Sequence, residues 1–285
     1  MEIKASQVKE LRDMSGVAMM ECKRALVECE GNLDKALDLL RSNSSLKAEK
    51  KASRVAADGV IRIISTESYA TIIEINSETD FAAKDAGFIA FADEVASYIS
   101  ANKVADVSVF ASSEIEEKRI ALIQTIGENI QLRRMESINF DGDMSVGSYM
   151  HSDGKLAALV ITNTSDESLA KDIAMHVAAS NPLCKSPEDI NNEVLEREKA
   201  IFEVQAKESG KDEAIMGKMV EGKVRKYLAE VSLTSQAYIK DPDVTVGKLL
   251  SENNADVMGY IRFKVGEGIE VESKSFADEV AEQLK

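Results

Sequence analysis

The sequence predicts an α+β fold. It has an N-terminal three-helix module and then two copies of a β-β-α-α-β unit, each an antiparallel sheet with helices on one face. Three observations predict it. Apolar residues recur at helical spacing through roughly the first 45 residues. Two segments that read strand, tight turn, strand, helix then follow, at Val60–Ile75 and at Gly147–Thr162. Between the second copy and its closing strand lies a long stretch with heptad-like apolar spacing, read as an antiparallel helical hairpin.

The elements follow in order. Val8, Leu11 and Met14 mark a first helix, Met19, Cys22 and Leu26 a second, and Leu33, Leu37 and Leu40 a third. Gly16 and Gly31 separate them, and Asn32 is the expected N-cap of the third. Such a module resembles the ubiquitin-associated three-helix fold. The basic stretch Lys47–Arg54 has no apolar periodicity and reads as a linker, with a solvated helix extension as the alternative. Copy one continues with a helix from about Asp80 that carries Phe88, Phe91, Val95, Tyr98 and Ile99. A second helix spans Ser113 to Ile126 with Gly127 as its C-cap, and a strand runs from Ile130 to Ile138. Copy two has strands around Gly147–His151 and Leu156–Thr162, then a helix from about Asp166 with Ile173, His176, Val177 and Ser180 on one face. Its closing strand is Val257–Phe263. In the inserted hairpin Pro187 starts the first helix. Ile190, Val194, Ile201 and Val204 form the seam, interrupted by Arg197 and, on the return, by Gly222. Ile215, Met216, Met219, Val220, Val224 and Tyr227 carry the returning helix, and Phe276–Leu284 reads as a C-terminal amphipathic helix. The expected divisions are 1–54 for the helical module and linker, 55–140 for core unit one, and 141–187 with 230–270 for core unit two. The hairpin takes 188–229 and the C-terminal helix 271–285.

Composition limits the function. The net charge of −15 over 285 residues argues against nonspecific nucleic-acid binding by the whole surface. There is no apolar run of the roughly 18 residues a membrane helix needs, and no signal-peptide pattern at the N-terminus, so the expected compartment is the cytoplasm. Cys22, Cys29 and Cys184 lack metal-ligand spacing and suit a reducing compartment. No phosphate-binding loop and no dinucleotide fingerprint is present. Gly266-Glu267-Gly268 reads as a turn. His176 falls on the inner face of its helix, and His151 sits beside the Ser152-Asp153-Gly154 turn, where edge packing and a partner contact both remain open. No residue is expected to be catalytic, and neither a metal nor a cofactor is expected.

The segment Thr79-Asp80-Phe81-Ala82 stands out. Aligning Lys84-Asp85 with Lys171-Asp172 sets Asp80 against Glu167 and Phe81 against Ser168, so the second copy lacks the Asp-Phe pair. Locally, Thr79 or Asp80 can cap the helix, and Phe81 can fold onto the core face of Phe88. The copy comparison points instead to function, because the cap survives in copy two and the aromatic does not.

An ordered set of segments then resembles one family. They are Val8–Arg12, Met19–Leu26, Ala56–Gly59, Thr79–Lys84, Ile126–Ile130, His176–Ala179, Met219–Gly222, Glu230–Thr234 and Val265–Ile269, covering nearly the whole chain. The chain is similar to elongation factor Ts, the nucleotide-exchange factor of the translational GTPase EF-Tu. The resemblance implies a non-enzymatic role: binding EF-Tu, preferentially nucleotide-free, and promoting GDP release by disturbing its Mg²⁺ and phosphate site. It implies that Thr79, Asp80, Phe81 and Ala82 enter near that Mg²⁺ site, with Phe81 as a wedge. It also implies supporting contacts from Ile126, Gly127, His151, Arg12, Met19, Met20 and Val231, and allows a homodimer within a 2:2 complex. For Met19 and Met20 the alternative is packing in the core of the small module, where one can face inward while the other faces out. Ala82 departs from the family's usual valine. On the residues alone two other classes stay open: an adaptor for a ubiquitin-like protein, resting on the three-helix module, and an enzyme with a carboxylate site.

Overall fold

The computed structural model describes residues 3–142, 144–210 and 212–270. The expected C-terminal helix at Phe276–Leu284, and the 271–285 division with it, lies outside these residues. In chain order the elements are α1 (Ala5–Ser15), α2 (Met19–Glu28), α3 (Leu33–Lys51), β1 (Asp58–Ser65), β2 (Tyr69–Ser77), α4 (Asp80–Ala83), α5 (Ala86–Asn102), α6 (Glu114–Ile126) and β3 (Gln131–Asn139). Then come β4 (Ser145–Met150), β5 (Leu156–Thr162), α7 (Glu167–Ser180), α8 (Asn192–Glu208), α9 (Glu213–Val231), β6 (Ala237–Tyr238), β7 (Asp241–Thr245), α10 (Val246–Glu252) and β8 (Val257–Lys264).

The duplication is visible in the topology. One three-stranded sheet has the order β1-β2-β3 and the other β4-β5-β8. In each, a hairpin and its helices come before the closing strand, so the expected α+β class and the late closing strand at 257 both hold. A short ribbon of β6 and β7 and the helix α10 fill the stretch before β8, which the sequence reading left unassigned. The chain forms two compact units. One holds the described residues up to Ile64, Ile73–Glu136, and those from Lys264; the other holds Ser65–Ile72 and Ser137–Phe263.

In the first unit Phe88, Phe91, Val95 and Ile99 of α5 pack with Val60, Ile73, Ile75, Ile123 and Ile130. A smaller core of Val8, Leu11, Val17, Cys22, Leu26, Ala36 and Leu40 closes the three helices. The Lys47–Arg54 stretch is not a linker through most of its length: α3 continues to Lys51. Its buried side chains there are Ser44 and Ala48, with Ala48 in the core beside α6 and Ser44 hydrogen-bonded to Leu40 O at 2.7 Å and to Gln124. Small residues make this contact, so no large apolar period announced it.

Two further expectations are corrected. The helix of copy one does not start at Asp80. Thr79 caps the single turn α4, and Asp85 caps a separate helix, accepting hydrogen bonds from Gly87 N and Phe88 N. Asp166 does the same for α7, accepting from Ser168 N and Leu169 N. The capping aspartates are therefore the true equivalents, and the earlier register through Lys84 and Lys171 is shifted. Eight residues (78–85) join β2 to α5, whereas four (163–166) join β5 to α7. Copy two has no counterpart of the Thr79–Ala82 turn.

The helical hairpin exists as α8 and α9. On α9 Met216, Met219, Val220, Val224 and Tyr227 are half-buried as expected, and only Ile215 of that set is exposed, but the seam on α8 is rotated. Pro187 starts only a 3-10 turn (Pro187–Asp189), and α8 begins after its Asn191 cap. Val194, Ile201 and Val204 are exposed. The packed face instead carries Phe202, edge-on to Tyr227 at 6.2 Å between ring centres, and the buried Ala206. Lys223 Nζ lies 5.7 Å over the Phe202 ring. Phe202 has more surface to bury than Ile201, and a one-residue shift turns a helix by about 100°.

Candidate functional site

Thr79–Ala82 forms a presented turn. Thr79 has extended backbone (φ −126°, ψ 159°), and its Oγ1 accepts from Ala82 N at 3.2 Å, the local cap that fixes the start of α4. Ala82 and Ala83 point inward and are buried, whereas Phe81 is 82% exposed. The alternative in which Phe81 folds onto the core face of Phe88 is excluded. Ala82 is a packing residue under the turn rather than part of its outer face. Asp80 Oδ2 accepts from Lys84 Nζ at 2.7 Å, and that hydrogen bond raises the Lys84 pKa above its ordinary value.

The turn is tied to the end of α6. Gly127 ends that helix in the left-handed region (φ 88°), as expected of a C-cap glycine, and its N–H returns to Ile123 O at 2.9 Å. Ile126 is half-buried against the first core. Glu128 follows and reaches Thr79 with both carboxylate oxygens. Glu78 reaches back, accepting from Asn129 N at 2.6 Å. Asn129 is fully buried and donates to Arg54 O at 2.8 Å. Lys51 Nζ donates to Gly127 O. Burial and the nearby Arg54 charge lower the Lys51 pKa from its ordinary value. The reading of the sequence missed Glu78 and Glu128, although Ile126–Ile130 was already singled out as a motif.

The remaining predicted residues distribute as follows. Arg12, Met19 and Met20 are all exposed on the three-helix module, so neither methionine faces inward; Cys22, Ala25 and Leu26 supply the buried face of α2. A side chain at Gly16, between α1 and α2, would come within 3.2 Å of Thr125 Oγ1 on α6. His151 is exposed in the second unit, with Nδ1 3.2 Å from Tyr149 Oη, and Val231 is half-buried at the end of α9. His176 is a core residue. Ile239 N donates to its Nδ1 at 3.2 Å, which leaves Nε2–H to donate to Gln236 Oε1 at 2.9 Å. Burial lowers its pKa, only partly offset by the Gln236 bond. Among the described residues no group of three or more His, Cys, Asp or Glu is arranged to hold a metal ion. No helix among them is long and apolar enough to cross a membrane.

Fold and site together define a class: a duplicated α+β protein that holds a bare aromatic outward on a braced turn. Comparison with known proteins makes the class specific. A family model described as elongation factor TS matches residues 78–267, a span that contains the turn and its brace. Elongation factor Ts of Hahella chejuensis is 50% identical over 285 residues, covering 99% of each chain. Those of Saccharophagus degradans and Escherichia coli O139:H28 are each 49% identical, covering all of this chain and 98% and 99% of their own. The chain belongs to the elongation factor Ts family, and with it to the elongation factors of protein biosynthesis.

Proposed function

We propose that this protein is a guanine-nucleotide exchange factor that acts on EF-Tu in the cytoplasm. The single observation that carries the reading is Phe81, 82% exposed at the outer corner of the anchored turn. A translational GTPase holds GDP through backbone donors, a lysine and Mg²⁺, and release is slow because these contacts must open together. Phe81 inserts beside the Mg²⁺ region of the partner and displaces its ligands. Asp80, released from Lys84, acts on the same region through its charge. Arg12, Met19, Met20, Ile126, Gly127, His151 and Val231 make the supporting grip. Thr79 holds the turn from beneath.

The activity is conformational coupling. No bond is made or broken, so neither cofactor nor catalytic group is required. Binding energy gathered by the supporting contacts drives the displacement, and the factor binds the nucleotide-free partner best. The test is release of labelled GDP from EF-Tu. Substoichiometric protein is expected to accelerate release without consuming nucleotide. Unchanged release, or stoichiometric GDP binding by this chain alone, sinks the proposal.

A further inference from the structure

We propose that Glu128 is a positioning residue that aims Phe81, through Thr79, at the partner; the inference rests on the exchange-factor reading above. A four-residue helix cannot sustain itself, because the cost of fixing the first turn exceeds what one hydrogen bond returns. Phe81 is nearly bare and contributes no packing that would fix its direction. Its direction is therefore that of the α4 backbone, which Ser77 holds at its base by donating from Oγ to Thr79 O at 3.0 Å, and α4 has two further anchors. One is the burial of Ala82 and Ala83 beneath it. The other is Glu128, whose Oε1 accepts from Thr79 Oγ1 at 2.7 Å and whose Oε2 accepts from Thr79 N at 3.0 Å.

The two bonds act together. By accepting the hydroxyl hydrogen bond, Glu128 fixes the Thr79 side chain in the orientation in which Oγ1 also accepts from Ala82 N, so the carboxylate steadies the cap of α4. Glu128 is in turn held on both sides. Before it, Gly127 makes the left-handed turn that ends α6. After it, Asn129 is clamped by Glu78, which also pairs with Arg54 at 3.6 Å. The chain of contacts runs from α6 through Gly127, Glu128 and Thr79 to Phe81. Without Glu128 the turn keeps its buried alanines and the Ser77 bond to Thr79 O, but loses the two bonds that fix the Thr79 amide and hydroxyl. A wedge held in place before contact needs no ordering on binding, and a misplacement of about 1 Å at a reacting site costs as much as a hundredfold in rate.

The experiment compares Glu128→Ala, Glu128→Gln, Phe81→Ala and the Phe81→Ala/Glu128→Ala double variant. GDP release is read at saturating factor and as the half-saturating factor concentration, beside thermal melts. Glu128→Ala is expected to lower the saturating rate roughly ten- to a hundredfold, with the half-saturating concentration within about twofold of the parent. Glu128→Gln, which keeps the shape but only one acceptor oxygen, falls between. In the Phe81→Ala background Glu128→Ala adds no further loss, because there is no wedge left to aim. Multiplicative losses in the double variant, or a saturating rate unchanged in Glu128→Ala, overturn the proposal. A second readout is independent of exchange: in the free protein, amide protection at Thr79 and Ala82 is expected to fall in Glu128→Ala while that of α6 and β2 persists. Unaltered protection at Thr79 and Ala82 overturns it as well. Release left unaccelerated by the parent instead strikes the exchange-factor reading and leaves the protection result to judge the brace, whereas equal acceleration by the parent and Phe81→Ala removes the wedge and overturns the proposal.

Discussion

Phe81 contributes almost nothing to folding by burial, since 82% of it remains in solvent. A buried Phe→Ala change costs about 3–5 kcal/mol, and a surface one about 0.5 kcal/mol or less. Phe81→Ala is therefore expected to melt almost as the parent does while losing much of its acceleration of GDP release. A large drop in melting temperature with normal release per folded molecule would return Phe81 to a packing role. Glu74 is the opposite case. Its side chain is fully buried, and burial alone would raise its pKa. The Gly266 N–H, Arg134, Asn76 and Arg133 outweigh that and hold it below the ordinary glutamate value. Folding therefore gains from the ionised form. The gain is complete above pH 4.5 and is lost as pH falls through the lower folded-state value. Glu74→Gln should cost about 1.5–3 kcal/mol at neutral pH and flatten the acid limb of the stability curve. An unchanged acid limb in urea melts would show that another carboxylate dominates it.

At the scale of elements, the hairpin of α8 and α9 closes on itself at its root. Leu183 N donates to Val231 O at 2.8 Å and Leu233 N to Cys184 O at 2.9 Å. Its ends are thus already side by side. Replacing the intervening arm with a short turn is expected to leave cooperative unfolding and most exchange activity; loss of the cooperative transition would make the arm part of the core. The rotated seam gives a finer test. Val204→Ser is expected to change stability by less than about 0.5 kcal/mol, and Phe202→Ala to cost about 1–3 kcal/mol, less than a fully buried phenylalanine because Phe202 is only half-buried. The reverse order would restore the heptad seam. His176 ties α7 to the segment after the hairpin in its neutral form, with Nδ1 as an acceptor. Its folded-state pKa lies below 6.5, so its contribution is complete above pH 6.5 and fades as pH falls through the folded value. Melts of His176→Gln should show less dependence on pH in that window than the parent. An equal dependence would assign it to other groups.

For the molecule as a whole the proposed exchange activity requires linkage. If the factor weakens GDP binding to the partner by some ratio, GDP weakens factor binding by the same ratio. A titration of factor into partner at rising GDP should therefore show the apparent affinity for the factor falling in step with GDP occupancy, toward a floor set by that ratio. Affinity independent of GDP would mean the factor binds without coupling, whatever its release kinetics.

Much of this was legible in the chain. Short apolar runs bounded by turns located the paired strands of both copies, and a period of 3.6 located most helices, because burial on one face of a helix leaves that period in the sequence. Gly127, Asn32 and Ser113 announced helix ends, because free backbone groups there demand particular residues. The Thr79–Ala82 turn was found as a difference between two copies. What the sequence could not supply was any contact made by small or polar groups. Ser44 and Ala48 hide the continuation of α3, since a short side chain marks a close approach and leaves no hydrophobic signal. The seam of the hairpin was decided by Phe202 against Tyr227, a choice between adjacent faces that depends on the partner helix. The capping aspartates, Asp85 and Asp166, set the register between copies only once both helices stood in space. Phe81 could have been core or wedge by spacing alone; burial of Ala82 and Ala83 on the opposite side of one helical turn turned it outward. The sequence determined the kind of elements and their order, because these follow from local chemistry. The tertiary structure alone decided which face each element shows, and which distant carboxylate holds the turn, because those depend on groups about 50 residues away being brought within hydrogen-bond reach.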